Sequence, residues 1–366
     1  MISIADVTAS ALDLELREPF GIATGAQLVA NNVLVTLTLS DGTVGIGEAA
    51  PFPAVNGETQ TAVLGALHDS RAAFVGLDAR RFRVATELAR EALQRVPTAR
   101  AAFESALLDA LCRRAALSLW SFFGGAEPTL VSDITIPTGS PEDAERAARR
   151  ALTNGFRTLK IKVGGAPFDH DRARLVAIAE AAPQAELVLD ANASLGAEAA
   201  LELLAALGEA RSRVTLFEQP CAKFDFDGLR RVRERAETRV AADESACSAS
   251  DVSRLIQERA VDAINIKTMK SGIVEAMNMI AVARAAGLEL MIGGMVESEL
   301  AMTVSACLAA GIGGFRFIDL DTPWFIKSAP LTSPVRAGWE EARGATLRVD
   351  QIERGHGVDL KLTGRR

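Results

Sequence analysis

Tyrosine is absent from this chain, histidine occurs three times and cysteine four times in 366 residues. Without tyrosine, no phenol can serve as acid or base. His68, His170 and His356 do not end any apolar run, which sets aside a histidine-ligated zinc centre and a Ser-His-Asp hydrolase. Cys112, Cys221, Cys247 and Cys307 are scattered with no CxxC spacing, the pattern of reduced, buried thiols in a cytoplasmic protein. No basic run accompanies the net charge of −7, so neither nucleic acid nor an anionic membrane surface is expected as a partner. No apolar run reaches the ~18 residues of a membrane span. The opening Met1-Ile-Ser-Ile-Ala-Asp6 lacks a basic segment followed by an apolar core, so no signal peptide and a cytoplasmic location are expected.

What is present is an ordinary globular composition, 49% hydrophobic and 24% charged. Residues 1 to about 50 read as strands. Val33–Leu39 alternates, Asp41-Gly42 signals a hairpin turn and Val44–Glu48 returns. From Glu58 to about Ala116 the apolar spacing is helical, clearest over Ala101–Leu111. Strands followed by helices predict a separate α+β domain over residues 1–125. From about Val131 the pattern changes to βα alternation and holds to about Asp321. Its eight predicted strands begin with Asp133–Ile136, whose helix is opened by Ser140-Pro141-Glu142. Strand seven is predicted at Leu288–Gly293 and strand eight at Phe315–Asp319.

The second of these strands, Thr158-Leu-Lys-Ile-Lys162, carries Lys160 and Lys162 on one face. Like charges that close predict a lowered pKa for one lysine unless carboxylates stand nearby. The next strands end in Asp190, Glu218, Asp243 and Lys267, at intervals of 28, 28, 25 and 24 residues, each one βα unit. Polar residues recurring at strand ends are what the mouth of a (β/α)₈ barrel needs. The fold expectation is therefore α/β: a (β/α)7-8 TIM-like barrel over residues 126–322. A final segment, 323–366, resumes strand-like alternation from Leu347 to Leu362 and is expected to pack back on the first domain and complete it.

Any one acid could merely cap the following helix. Three in succession at one barrel mouth would repel unless a hard cation bridges them, and Mg²⁺ suits carboxylate oxygens. Asp190, Glu218 and Asp243 are thus the expected metal ligands. Lys162 and Lys267, on opposite sides of the barrel, would remove a proton from one face of a carbon and return one to the other. The metal would hold the enediolate formed when a proton α to a carboxylate leaves.

The ordered set Lys160-x-Lys162, Asp190-Ala-Asn192, Glu218-Gln-Pro220, Asp243-Glu-Ser245 and Asn265-Ile-Lys267-x-x-Lys270-x-Gly272 resembles the enolase superfamily, within it the muconate-lactonizing-enzyme subgroup. The resemblance covers essentially the whole chain. It implies a capping domain that closes over the barrel through two loops, here about Pro19–Gln27 and Pro51–Glu58. It implies Mg²⁺ at Asp190, Glu218 and Asp243, an acid/base pair at Lys162 and Lys267, and Lys160 beside the substrate carboxylate. Thr135 matches a substrate-contacting position. One departure is Lys270-Ser-Gly272-Ile273 where the family reads Lys-x-Gly-Gly.

Strand eight separates the activities of that subgroup. Asp319 and Asp321, at i and i+2, share a strand face and can clamp an ammonium group. The pair resembles that of dipeptide epimerases, so the expected substrate is a dipeptide inverted at its second α-carbon by two-base 1,1-proton transfer. N-acylamino acid racemase or o-succinylbenzoate synthase activity is the alternative within the fold, and a catalytically silent binding barrel the alternative outside enzymology. The stretch Gly21–Gln27 carries no cation and Phe52–Val55 is apolar, which favours uncharged or hydrophobic dipeptides, or a broad range. Assembly with copies of itself completes the expected partners.

Overall fold

The computed structural model describes residues 2–22, 25–340 and 344–361. Ala23 and Thr24 of the first capping loop, and Leu362 at the end of the predicted C-terminal alternation, lie outside the described residues.

The chain opens with three antiparallel strands, Ile4–Ile22, Gly25–Leu39 and Val44–Ala49. Gly42 takes a left-handed φ of 85° at the predicted turn, a backbone region open to glycine at little cost. The first two strands run longer than their sequence signals. They pair as far as Ile22↔Gly25, so residues 20–22 and 25–27 of the first capping loop are themselves paired strand. Helices Gln60–Phe74, Phe82–Ala92 and Pro97–Arg114 follow, and Phe74 stacks on Phe103 at 4.2 Å between ring centroids. The strand–helix approach is set by Gly45 and Gly47. A Cβ on either would lie 2.1 Å from a carbonyl oxygen of helix Pro97–Arg114, Ala106 or Ala102 respectively.

Eight parallel strands then form one continuous sheet in sequence order. They are Ile134–Ile136, Thr158–Lys162, Glu186–Asp190, Val214–Glu218, Arg239–Ala242, Ala263–Ile266, Glu289–Ile292 and Phe317–Ile318. The edges meet where Asp133 N–H donates to the Ile318 carbonyl at 2.8 Å. Strands three to eight each place one residue in an interior apolar layer: Val188, Leu216, Ala241, Ala263, Met291 and Phe317. Alternation puts the residues two positions on, including Asp190, Glu218, Asp243 and Asp319, on the same inward side one layer nearer the mouth.

The capping and barrel parts touch at two buried carboxylates. Glu104, on helix Pro97–Arg114, accepts the N–H groups of Ile273 (2.6 Å) and Val274 (3.0 Å), the start of barrel helix Ile273–Ala285. Glu48 reaches the start of helix Glu299–Ile312. Near the C-terminus, Thr346–Arg348 pairs with Thr129–Val131. His356 is buried, with its Nε2 3.0 Å from the Ile46 carbonyl and 3.2 Å from Asp109 Oδ2. Among the described residues no helix is long and apolar enough to cross a membrane.

Candidate active site

A cleft opens at the carboxyl ends of the barrel strands, under the capping hairpin. Phe20 and Ile22 of the hairpin, Phe52 and Val55 after the third capping strand, and Met295 and Val296 after barrel strand seven supply its apolar wall. Thr135, Lys160, Lys162, Lys267, Asp319 and Asp321 supply the polar side. Lysines from strands two and six therefore face one cavity from opposite sides of the barrel.

Each lysine is held by acids. Lys162 Nζ lies 2.6 Å from Asp190, and Lys267 Nζ lies 2.7 Å from Asp243. Lys160 touches three carboxylates, at 2.7 Å from Glu218, 3.1 Å from Asp190 and 2.5 Å from Asp319. Burial opposes the charged form of Lys160, but Asp319, Glu218 and Asp190 overcome it and raise its pKa well above the ordinary value. Lys267 likewise rises against burial through Asp243 and Glu218. Like-charge repulsion between neighbouring lysines is thus answered by the carboxylates between them.

The acids divide by their neighbours. Asp190 and Asp243 are held below the usual carboxylate range, because nearby lysines outweigh a large burial penalty. Glu218 stays raised, since burial and the Asp190 charge outweigh Lys160. Burial and Asp243 push its neighbour Glu244 up to about 8.

The sequence motifs also contain residues whose work only the structure reveals. Asn265 Nδ2 donates to Glu218 Oε1 at 2.6 Å. Lys270 Nζ binds Asp243 Oδ1 at 2.6 Å and the carbonyls of Asp243 and Asn265, so Asp243 has a lysine on each oxygen. Gln219, at φ 34°, accepts the N–H of Asp243 at 2.9 Å and that of Ser245 at 3.1 Å, fixing the end of strand five. Such a backbone conformation is uncommon outside glycine and recurs at functional sites.

Strand eight differs from its expected form. It ends at Ile318, and Asp321 sits in a helical conformation (φ −98°, ψ −12°), so Asp319 and Asp321 do not alternate along a strand. Asp321 Oδ2 accepts the Thr135 N–H at 2.6 Å, drawing the chain across to strand one, and both carboxylates still line the cleft. Behind them stands Asp133, which the sequence reading places only at the start of a strand. Its carboxylate lies within 4.8 Å of both, buried, with Oδ1 free of any hydrogen-bond donor among the described residues. Burial and Asp319 push Asp321 up to about 7, and burial, with the charges of Asp319 and Asp321, raises Asp133 strongly.

Asp133, Asp319 and Asp321 are also the one acidic trio among the described residues whose oxygens approach one another within 4.8 Å. Asp190, Glu218 and Asp243 are not gathered in this way, because Lys160 and Lys267 stand against their oxygens. Their chemistry nonetheless fits a hard divalent cation. All three are at most 2% exposed, all offer oxygen, and Glu218 Oε2 accepts no hydrogen bond among the described residues, meeting only the Lys160 charge.

Residues 4–124 match the family pattern "Mandelate racemase / muconate lactonizing enzyme, N-terminal domain", and residues 142–363 match "Enolase C-terminal domain-like". The chain is 46% identical over 358 residues to the aromatic dipeptide epimerase of Herpetosiphon aurantiacus, covering 98% of this chain and 99% of that protein. It is 38% identical over 339 residues to a hydrophobic dipeptide epimerase of Citrifermentans bemidjiense, covering 90% and 92% of the two chains. Among solved structures it resembles the dipeptide epimerase of Enterococcus faecalis complexed with Mg and the dipeptide L-Leu-L-Tyr. That likeness has a TM-score of 0.91 and 32% identity, covering 98% and 99% of the two chains.

Proposed function

Because the chain belongs to the mandelate racemase/muconate lactonizing enzyme family of the enolase superfamily, we propose that it is a Mg²⁺-dependent dipeptide epimerase that inverts the α-carbon of the second residue. The observation that carries this reading is the pairing, in one cleft, of Lys162 and Lys267 on opposite sides with Asp319 and Asp321 at one end. Two bases facing one carbon suit a 1,1-proton transfer, and two carboxylates suit a free amino terminus.

In this reading Asp190, Glu218 and Asp243 hold the metal, with Asn265, Lys270 and Gln219 orienting them. A divalent cation bound there would supply positive charge to the substrate carboxylate and would disfavour a further positive charge beside it. Lys160 stands beside the substrate carboxylate. One of Lys162 and Lys267 takes the α-proton as the other delivers a proton to the opposite face, and the substrate's pose sets which lysine serves which epimer. Asp319 and Asp321 orient the dipeptide by its ammonium group, and Thr135 holds Asp321 through its backbone N–H. Phe20, Ile22, Phe52 and Val55 exclude water from the second side chain, which favours apolar residues there. A cytoplasmic location and self-association belong to the same proposal; sedimentation of the purified protein tests the latter.

The test is a dipeptide library incubated with enzyme and Mg²⁺ in D₂O. Mass spectrometry should find deuterium at the second α-carbon, most with apolar second residues. N-acylated amino acids, which lack the ammonium group, should exchange poorly. Absence of uptake on every dipeptide sinks the proposal.

A further inference from the structure

Glu48 lies in the capping domain, yet nearly all its partners belong to the barrel. It is 1% exposed. One oxygen accepts Asn32 Nδ2 at 2.7 Å and the Ser298 N–H at 2.9 Å; the other accepts the Ala301 N–H at 3.1 Å and the Ser298 hydroxyl. Asn32, also in the capping sheet, donates its second N–H to the Val296 carbonyl at 2.9 Å. The helix that begins here has its own cap, since Ser298 Oγ accepts the Leu300 N–H at 3.1 Å. A buried carboxylate with four donors exceeds what that helix end requires.

We propose that Glu48 is a positioning residue for the reaction, tying the capping domain to the loop after barrel strand seven that walls the substrate's second side chain. The inference rests on the dipeptide reading above. That loop carries Gly294, Met295 and Val296 on the cleft wall. It also bears on the chemistry. A Cβ on Gly293 would lie 3.1 Å from Lys267 Cε and 3.0 Å from the Asn265 side chain, so the loop backbone packs directly on both. On its far side Glu297 N–H donates to Thr322 Oγ1 at 3.1 Å, and that hydroxyl donates to the Glu297 carbonyl at 2.8 Å. Thr322 lines the cleft beside Asp321. A displacement of the loop at Glu48 therefore reaches Lys267, the apolar wall and the ammonium end together.

Glu48→Gln keeps size and shape but turns an N–H toward the Ala301 N–H, donor against donor, so the loop must move. Ser298→Ala removes one donor to Glu48 together with the hydroxyl that caps the Leu300 N–H, leaves the other three donors in place, and is the milder variant should E48Q fail to fold. The measurement is kcat/KM for a dipeptide with an aromatic second residue divided by that for one with alanine second. The ratio should fall about tenfold in E48Q and less, in the same direction, in S298A. Equal losses on both substrates, or a lowered Tm with an unchanged ratio, overturn the role. Hydrogen exchange at amides 293–298 needs no substrate and should rise in both variants. Unchanged protection there overturns the tie whatever the enzyme acts on, whereas a wild-type protein inert on every dipeptide overturns only the epimerase reading.

Discussion

Lys162 and Lys267 are alike in burial and in company. Lys162 shares Asp190 with Lys160, and Lys267 shares Asp243 with Lys270. Removing Lys267 leaves Asp243 paired, so Lys267→Ala should fold, and interconversion of epimers should fall by about 10²–10⁴-fold. Lys162→Ala should lose interconversion to a similar extent. Each variant should still wash solvent deuterium into the one epimer whose α-proton faces the surviving lysine. Proton NMR of separate L,L and L,D dipeptides in D₂O checks this, and equal exchange of both epimers by either variant contradicts a two-base arrangement. At this scale the lysines and acids were legible because each ends an apolar run at a βα interval. Asp133 was not, because nothing local marks a carboxylate at a strand's start as facing two others 186 and 188 positions away.

Among elements, the closest constraint lies where strand Val44–Ala49 meets helix Pro97–Arg114. Gly47→Ala would set a methyl group 2.1 Å from the Ala102 carbonyl, so strand and helix must part. The expected cost is about 1–3 kcal/mol or more, read as a lowered urea midpoint. The same helix carries Glu104, whose carboxyl is pushed from 4.5 to about 7, first by burial and against the Ile273 and Val274 N–H groups and Arg100. A raised carboxyl favours the protonated folded state. Its stability contribution is complete below about pH 4.5 and lost as pH rises through about 7. Relative to Glu104→Gln, the wild type should therefore lose stability across that window, by on the order of 3 kcal/mol at most. Denaturant titrations of both proteins at pH 5 and pH 8 decide it, and a constant difference counts against the buried charge. Element type followed from apolar periodicity. Element length did not: the capping hairpin outruns its signal because pairing carries the two strands on to Ile22↔Gly25, and strand eight stops early because Thr135 captures Asp321.

In the whole molecule, Lys160, Lys162, Lys267 and Lys270 stand within 3.1 Å of Asp190, Glu218 or Asp243 and offset their charge. Chelation should therefore abolish turnover and leave the far-UV circular dichroism unchanged. Restoring Mg²⁺ should return activity and stabilise the fold by about 1.4 kcal/mol per tenfold excess over Kd, read from Tm. Loss of secondary structure on chelation would mean that the metal holds the barrel together. The sequence by itself determined the α/β class, the eight strands, the hairpin-and-helix domain ahead of them and the residue types at each strand end. Period-2 and period-3.6 patterning are local properties that any reader of the chain can follow. Only the tertiary structure decided that Glu48 binds a loop 250 positions away, that Lys160 bridges Asp190, Glu218 and Asp319, and that Phe20 and Phe52 wall the same cleft. Those contacts depend on where barrel curvature and the capping hairpin bring distant segments, and no stretch of sequence encodes a distance to a segment it does not adjoin.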